Sequence, residues 1–268
     1  MLTISNTISN VNAGLAVVPF ITAGYPNIAA TKEIIYLLDR KGANLIELGI
    51  PYSDALADGV IIQESSRIAL DQNVYMDQVL ELLRQVSSNI KAPIIIFTYF
   101  NPILSRGLKN CLKEISESGA KGLVIPDLPL EESDYVIALC SYYGIELILF
   151  IAPTSSEARI RSIIAKAPGS LYLVSSYGVT GLRVSISSNL KDLVKIIKRS
   201  TNKCVMLGFG ISNAEHVAKI IDLNLGIDAI VMGSAFIKKI TDGYEIGNYE
   251  NLGLFCESIE NIVRNIHQ

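Results

Sequence analysis

Short runs rich in Val, Ile and Leu, each followed by a stretch with apolar residues at helical spacing, recur along nearly the whole chain. No other feature restricts the fold as much. Residues 15–20 precede 31–41, 44–50 precede 60–70, 94–99 precede 108–118, and 122–125 precede 132–143. The pairing continues from 146–151 with 157–167, 171–175 with 190–198, 204–207 with 214–223, and 229–232 with 255–266. Residues 71–88 add a helix to the second unit. The runs show little polar alternation, which is what parallel strands covered on both faces require. Eight strand and helix pairs in 268 residues predict one α/β domain over residues 1–268, a (β/α)8 TIM barrel with extra short helices. The alternative, an open doubly wound sheet, is disfavoured because no GxGxxG follows the first strand.

In such a barrel the loops that do chemistry follow the C-terminal ends of the strands. Residues 45–59, LIELGIPYSDALADG, place one carboxylate inside a strand and two more on the loop after it. Glu47 is out of place among Leu and Ile: if buried there, it is either paired or holds its proton through a raised pKa. An ion pair or an exposed strand edge is about as common a fate for such a residue. Gly49, Pro51 and Gly59 let the loop turn back over the strand end, which brings Asp58 toward Glu47. Two carboxyls in unlike surroundings can divide the roles of acid/base and fixed charge. Asp54 reads as a loop carboxylate facing solvent or a partner.

Three glycine-containing turns follow the late strands: Gly178-Val179-Thr180-Gly181, Gly208-Phe209-Gly210-Ile211-Ser212, and Gly233-Ser234 opening a short helical segment over 235–239. Barrels commonly hold a phosphate after strands seven and eight, on backbone N–H groups and the positive end of a short helix. Taken singly, such glycines more often just make turns. Their order points to a phosphorylated small metabolite.

The net charge of −3, with both signs interspersed, offers no basic stripe for nucleic acid and no polybasic patch for a membrane. Cys111, Cys140, Cys204 and Cys256 are far apart, with no CxxC pair, and are expected to be free thiols in a reducing compartment. His216 and His267 lie in polar surroundings and suggest neither a metal cluster nor a histidine base. No apolar run is long enough to span a bilayer, and residues 1–12 lack the pattern of a signal or transit peptide. The chain is therefore expected to be soluble; its Ile, Asn and Lys usage suits an AT-rich genome, as in a bacterium or a plastid.

Residues 45–59 resemble the signature around the catalytic glutamate of the alpha subunits of tryptophan synthase. Supporting matches are Pro19-Phe20, residues 22–26, Tyr99 with Asn101-Pro102, residues 126–129, residues 152–154 and the glycine turns at 178–181 and 208–212. The resemblance implies cleavage of indole-3-glycerol phosphate to indole and glyceraldehyde 3-phosphate without a cofactor. It places the catalytic glutamate on Glu47 and the catalytic aspartate on Asp58. It places an active-site tyrosine on Tyr172, an indole-pocket residue on Phe20, and phosphate contacts on Gly181, Gly210, Gly233 and Ser234. It further implies a beta-subunit partner carrying pyridoxal phosphate, in an α2β2 tetramer, and a bacterial cytoplasm or plastid stroma as the compartment. Asn101-Pro102 and the Asp54 loop are the expected contacts with that partner.

In this reading Glu47 delivers a proton to indole C3, and Asp58, better hydrated and ionised, accepts the indole N–H. Thr180 is expected to hydrogen-bond Asp58. Three positions depart from the family pattern: Ala55 and Val60 replace prolines, and Ser176, followed by Tyr177, stands where arginine is frequent. They bear on the catalytic loop and on communication with a partner. The competing readings are a non-catalytic regulatory subunit that binds the phosphate ligand, and a different phosphosugar barrel enzyme. A pure binder has little use for a desolvated acid, and residues 45–59 do not suit the other barrel enzymes.

Overall fold

A computed structural model of the chain describes residues 3–11, 14–174, 188–208 and 210–264. Strands β1 (Ala16–Thr22), β2 (Ile46–Gly49), β3 (Ile94–Phe97), β4 (Gly122–Val124), β5 (Glu146–Ile151), β6 (Ser170–Val174), β7 (Cys204–Gly208) and β8 (Ala229–Met232) are parallel and adjacent in chain order. β8 returns to pair with β1, with Val18 opposite Val231 and Pro19 opposite Met232. The expected eight-stranded barrel is the fold. Around it lie α1 (Thr3–Ser9), α2 (Ile28–Arg40), α3 (Val60–Asp71), α4 (Met76–Val86), α5 (Phe100–Arg106), α6 (Leu108–Glu117), α7 (Ser133–Tyr142), α8 (Glu157–Lys166), α9 (Ser188–Ser200), α10 (Ala214–Asp222), α11 (Ser234–Glu245) and α12 (Glu250–Arg264). None of these helices is long and apolar enough to cross a membrane.

The missing alternation in the strands has a direct cause. In β1, Ala16, Val18 and Phe20 pack inside the barrel, while Val17 and Ile21 belong to the larger core between barrel and helices. Both faces are dry, so both are apolar. Across the barrel wall, Phe20 lies opposite Glu47 and Glu47 opposite Ile95, while Phe150 lies opposite Tyr172 and Tyr172 opposite Met206. This register sets which side chains share the interior.

The sequence reading misses two helices. α1 is polar at five of its seven residues and gives no helical signal, yet Ile4 and Ile8, four apart, are buried in the inner core at the strands' N-terminal end. There Glu146 Oε2 accepts from Ser5 N and Ser5 Oγ at 2.9 and 3.0 Å, and Glu146 Oε1 accepts from Ser170 Oγ at 2.7 Å. Three donors thus satisfy a carboxylate that is fully buried. α5 begins with Phe-Asn-Pro, which looks like a turn. Pro102 is harmless in a first turn, whose N–H groups lack helical partners anyway, and Asp127 Oδ1 takes the Phe100 N–H at 2.8 Å.

Several boundaries also shift. β1 runs two residues past the expected 20, and α2 starts at Ile28 because Asn27 Oδ1 accepts the Ala30 N–H at 2.8 Å, a side-chain cap that sets the helix start. The segment expected over 235–239 is the first half of α11, and the last helix starts at Glu250 instead of 255.

Candidate active site

Glu47 points into the barrel from β2 and is completely buried. Among the described residues no cation or backbone N–H pairs with either carboxyl oxygen, so little compensates the charged form for its lost water. Burial pushes the pKa up to about 8, with a further push from the Asp58 charge; the Tyr172 hydroxyl beside it pulls weakly the other way. At neutral pH this carboxyl carries its proton.

Asp58 comes back over the strand end, as the loop glycines suggested. Its surroundings differ from the expected ones: it is 5% exposed, so it is not a hydrated carboxylate. Tyr99, just beyond β3, is the reason. The Tyr99 hydroxyl accepts the Ala57 N–H at 2.9 Å and donates to Asp58 Oδ2 at 3.0 Å, folding the loop down onto the barrel mouth. Burial raises Asp58 to about 6, against the opposing effect of the Tyr99 bond. The order of the two acids survives the correction. Asp58 ionises first, and its charge helps to keep Glu47 neutral.

Phe20, opposite Glu47 on β1, meets Phe97 edge to face at 5.5 Å, and Phe97 meets Tyr99 the same way at 6.2 Å. Tyr172 is buried on β6 with its ring 4.7 Å from Phe150. Burial and the neighbouring Glu47 and Asp58 charges hold its hydroxyl well above the usual phenol range, so it stays protonated. Gly208 makes room for that ring: a Cβ there would lie 2.4 Å from Tyr172 Cε1.

Phe20 also connects the acids to the late glycines. A Cβ built on Gly233 would sit 3.1 Å from Ile62 Cδ1 and 3.5 Å from Phe20 Cδ1. Gly233 therefore lies against Phe20, the residue opposite Glu47 on β1. Gly233 and Ser234 open the twelve-residue α11, whose first turn holds no acidic residue to oppose an anion. Gly210, at φ +78°, takes a left-handed conformation just after β7. The arrangement offers a neutral acid, an ionised carboxylate, aromatic walls and a helix N-terminus on one rim.

Thr180, Gly181, Ser176, Tyr177 and Phe209 lie outside the described residues, as do the other residues of the 178–181 turn. Tyr99 was legible only as a motif match, not as the partner of Asp58. Its parity with Ile95 and Phe97, two residues apart along one inward-facing strand, was the available signal. Gln63 gave no signal at all: its side-chain amide bonds two carbonyls of the Asp58 turn. Among the described residues no three His, Cys, Asp or Glu side chains come together as a metal site.

The family model described as tryptophan synthase alpha chain matches residues 8–263. A tryptophan synthase alpha chain from Gracilaria tenuistipitata var. liui is 54% identical over 260 residues, covering 97% of this chain and 96% of that one. The crystal structure of tryptophan synthase subunit alpha from Legionella pneumophila str. Paris superposes with a TM-score of 0.88 at 30% identity, covering 99% of both chains. A chain from the tryptophan synthase a2b2 complex of Pyrococcus furiosus superposes at 0.82 with 32% identity, over 92% of this chain and 98% of that one.

Proposed function

The chain belongs to the tryptophan synthase alpha chain family, and from that premise we propose that Glu47 and Asp58 share the acid and base work of its reaction. The reaction is the lyase step of tryptophan biosynthesis, cleavage of indole-3-glycerol phosphate to indole and glyceraldehyde 3-phosphate. The observation that carries the residue assignment is Glu47 itself, a fully buried carboxyl with no cation beside it among the described residues, next to a second carboxyl that ionises before it.

Direct rupture of the bond between indole C3 and the glycerol chain would leave a carbanion. Protonation of C3 by neutral Glu47 avoids it and moves positive charge to the ring nitrogen, where ionised Asp58 accepts the N–H and stabilises the cation. The Glu47 carboxylate then takes the proton of the glycerol hydroxyl on the carbon bonded to C3. That carbon becomes the aldehyde, the electrons of the broken bond return to the ring, and Glu47 ends protonated as it began. Phe20 lines the indole pocket and Tyr172 orients the substrate. Gly210, Gly233 and Ser234 hold the phosphate at the α11 N-terminus, with Gly181 and Thr180 assigned to the phosphate and to Asp58 by resemblance alone.

The partner is a beta subunit, and the assembly is an α2β2 tetramer like the one named for Pyrococcus furiosus. The chain itself needs no cofactor; pyridoxal phosphate belongs to that partner. The compartment is a plastid stroma or a bacterial cytoplasm, in keeping with the Gracilaria relative.

Glu47→Gln and Asp58→Asn, assayed for indole release from indole-3-glycerol phosphate with and without a beta subunit, test the assignment. Each is expected to lose about 100-fold or more in turnover while binding of inorganic phosphate persists. Turnover of either variant at the wild-type rate sinks its role.

A further inference from the structure

The loop that delivers Asp58 is held at a few points only, the Tyr99 hydroxyl among them. Leu56, at its tip, is 87% exposed, so the turn packs on the inner core through the small side chains of Ala55 and Ala57 and not through its largest one. Gly59 caps α3 without a side-chain hydrogen bond. Beside the Tyr99 bonds, the turn is fastened by Gln63, in the first turn of α3. Its backbone N–H donates to Gly59 O at 2.9 Å, and its side-chain Nε2 donates to Ala55 O at 3.1 Å and to Asp58 O at 2.9 Å. Ala55 O also accepts the Asp58 N–H at 3.1 Å. One amide thus ties together the carbonyls at both ends of the four-residue turn. Asp58 is held at its N–H and at its C=O, which leaves only its side-chain torsions free, and Tyr99 Oη takes those up.

α3 is a firm base for such a strap. Ser65, Ser66 and Ala69 are buried against the barrel, and Ser65 Oγ meets Thr22 Oγ1 at 2.6 Å. From this geometry we propose that Gln63 is a positioning residue: its carboxamide transmits the rigidity of α3 to the 55–58 turn and so holds the Asp58 carboxylate in the buried place where it meets Tyr99 and faces Glu47. The proposal rests on the reading of Asp58 given above. Gln63 itself is exposed and touches no reacting atom; it acts through the backbone of Asp58.

The test replaces the amide by an isosteric group without donors, Gln63→Met. Indole release is followed against pH, and the Asp58 carboxyl is titrated by carbon NMR on labelled protein. A freed turn lets water reach Asp58 and loosens its bond to Tyr99. Burial is the larger of the two effects on this carboxyl, so its midpoint falls from about 6 toward the ordinary aspartate value. kcat is expected to fall about tenfold because Asp58 is less often held where it meets the substrate, with KM little changed.

Arg67→Met is the control. It breaks the surface pairs with Glu64 and Asp71 on the same helix, one turn on, and is expected to leave both kcat and the Asp58 midpoint alone. Three results overturn the proposal: Gln63→Met at wild-type kcat, a loss of kcat with the Asp58 midpoint unmoved, or the same loss in Arg67→Met. A failure of the parent reading is seen separately, as Asp58→Asn turning over at wild-type rate, and the role of Gln63 falls with it.

Discussion

Glu47 and Asp58 are both more acidic in water than in this fold, and the contrast between them comes first from the deeper burial of Glu47 and the Asp58 charge beside it, then from donors. Asp58 has the Tyr99 hydroxyl at 3.0 Å; Glu47 has only the weak influence of Tyr172. A window therefore opens between about 6 and about 8 in which the first is ionised and the second is not. The pH profile of kcat/KM is expected to be a bell with its limbs near those values. Tyr99→Phe removes a bond that favours ionised Asp58 while the phenyl ring and the Gln63 amide keep the turn folded over the barrel, so the Asp58 pKa rises and the acid limb moves up. The bell narrows from its acid side while the alkaline limb stays near the Glu47 value. An acid limb that stays put or moves down in the Tyr99→Phe profile refutes this assignment of Asp58.

At the scale of elements, two helix starts stand at the site, one ending the loop that carries Asp58 and one following β8. Val60 is the first residue of α3 and is 69% exposed, and Gly59 before it sits at φ −76°, ψ 163°. That geometry suits the residue ahead of a proline, and the first helical N–H has no intrahelical partner to lose. Val60→Pro is expected to stabilise the chain by about 0.4–1 kcal/mol through the unfolded state. Urea unfolding reads this as a higher midpoint at unchanged slope; a lower midpoint means that the backbone at 60 is not free for proline. At the other helix start, Gly233→Val would put methyl groups against Ile62 and Phe20 where α11 opens. The KM for indole-3-glycerol phosphate is expected to rise on the order of tenfold, with binding of indole itself less affected. Equal losses for both ligands remove the phosphate from that helix end.

The molecule as a whole was legible where the rules are periodic. Doubly buried strands and their helices show in the chain because Val, Ile and Leu fill both faces, and the odd carboxylate of β2 stands out against that background. What stayed hidden depends on contacts between distant segments. α1 is polar along most of its length, and only Ile4, Ile8 and the Ser5 bonds to Glu146, 141 residues away, make it a floor for the barrel. The burial of Asp58 likewise depends on Tyr99, 41 residues on. A carboxylate near three glycines and prolines looks hydrated until a partner from the next strand covers it.

Retaining these acids affects stability. Glu47, Asp58 and Glu260 on α12 all have folded pKa values above their ordinary ones, at about 8, about 6 and about 7, each mainly through burial. A raised acid pKa means that the native state binds more protons than the unfolded one between the two values, so each group lowers stability as pH rises through that range. Glu47→Gln removes the largest of these effects. Its gain in stability over the wild type is expected to be near zero at pH 4.5, to grow up to pH 8, and to reach a few kcal/mol at most. Thermal melts across that range check this; a gain that is flat with pH means that Glu47 ionises as freely in the barrel as in water.

The central claim, that the barrel keeps Glu47 protonated at neutral pH, is tested most directly by titrating its carboxyl carbon in the folded chain labelled at glutamate, with Glu47→Gln assigning the resonance. The account predicts a midpoint well above 6, near 8. A midpoint at the ordinary glutamate value of about 4.3 contradicts it.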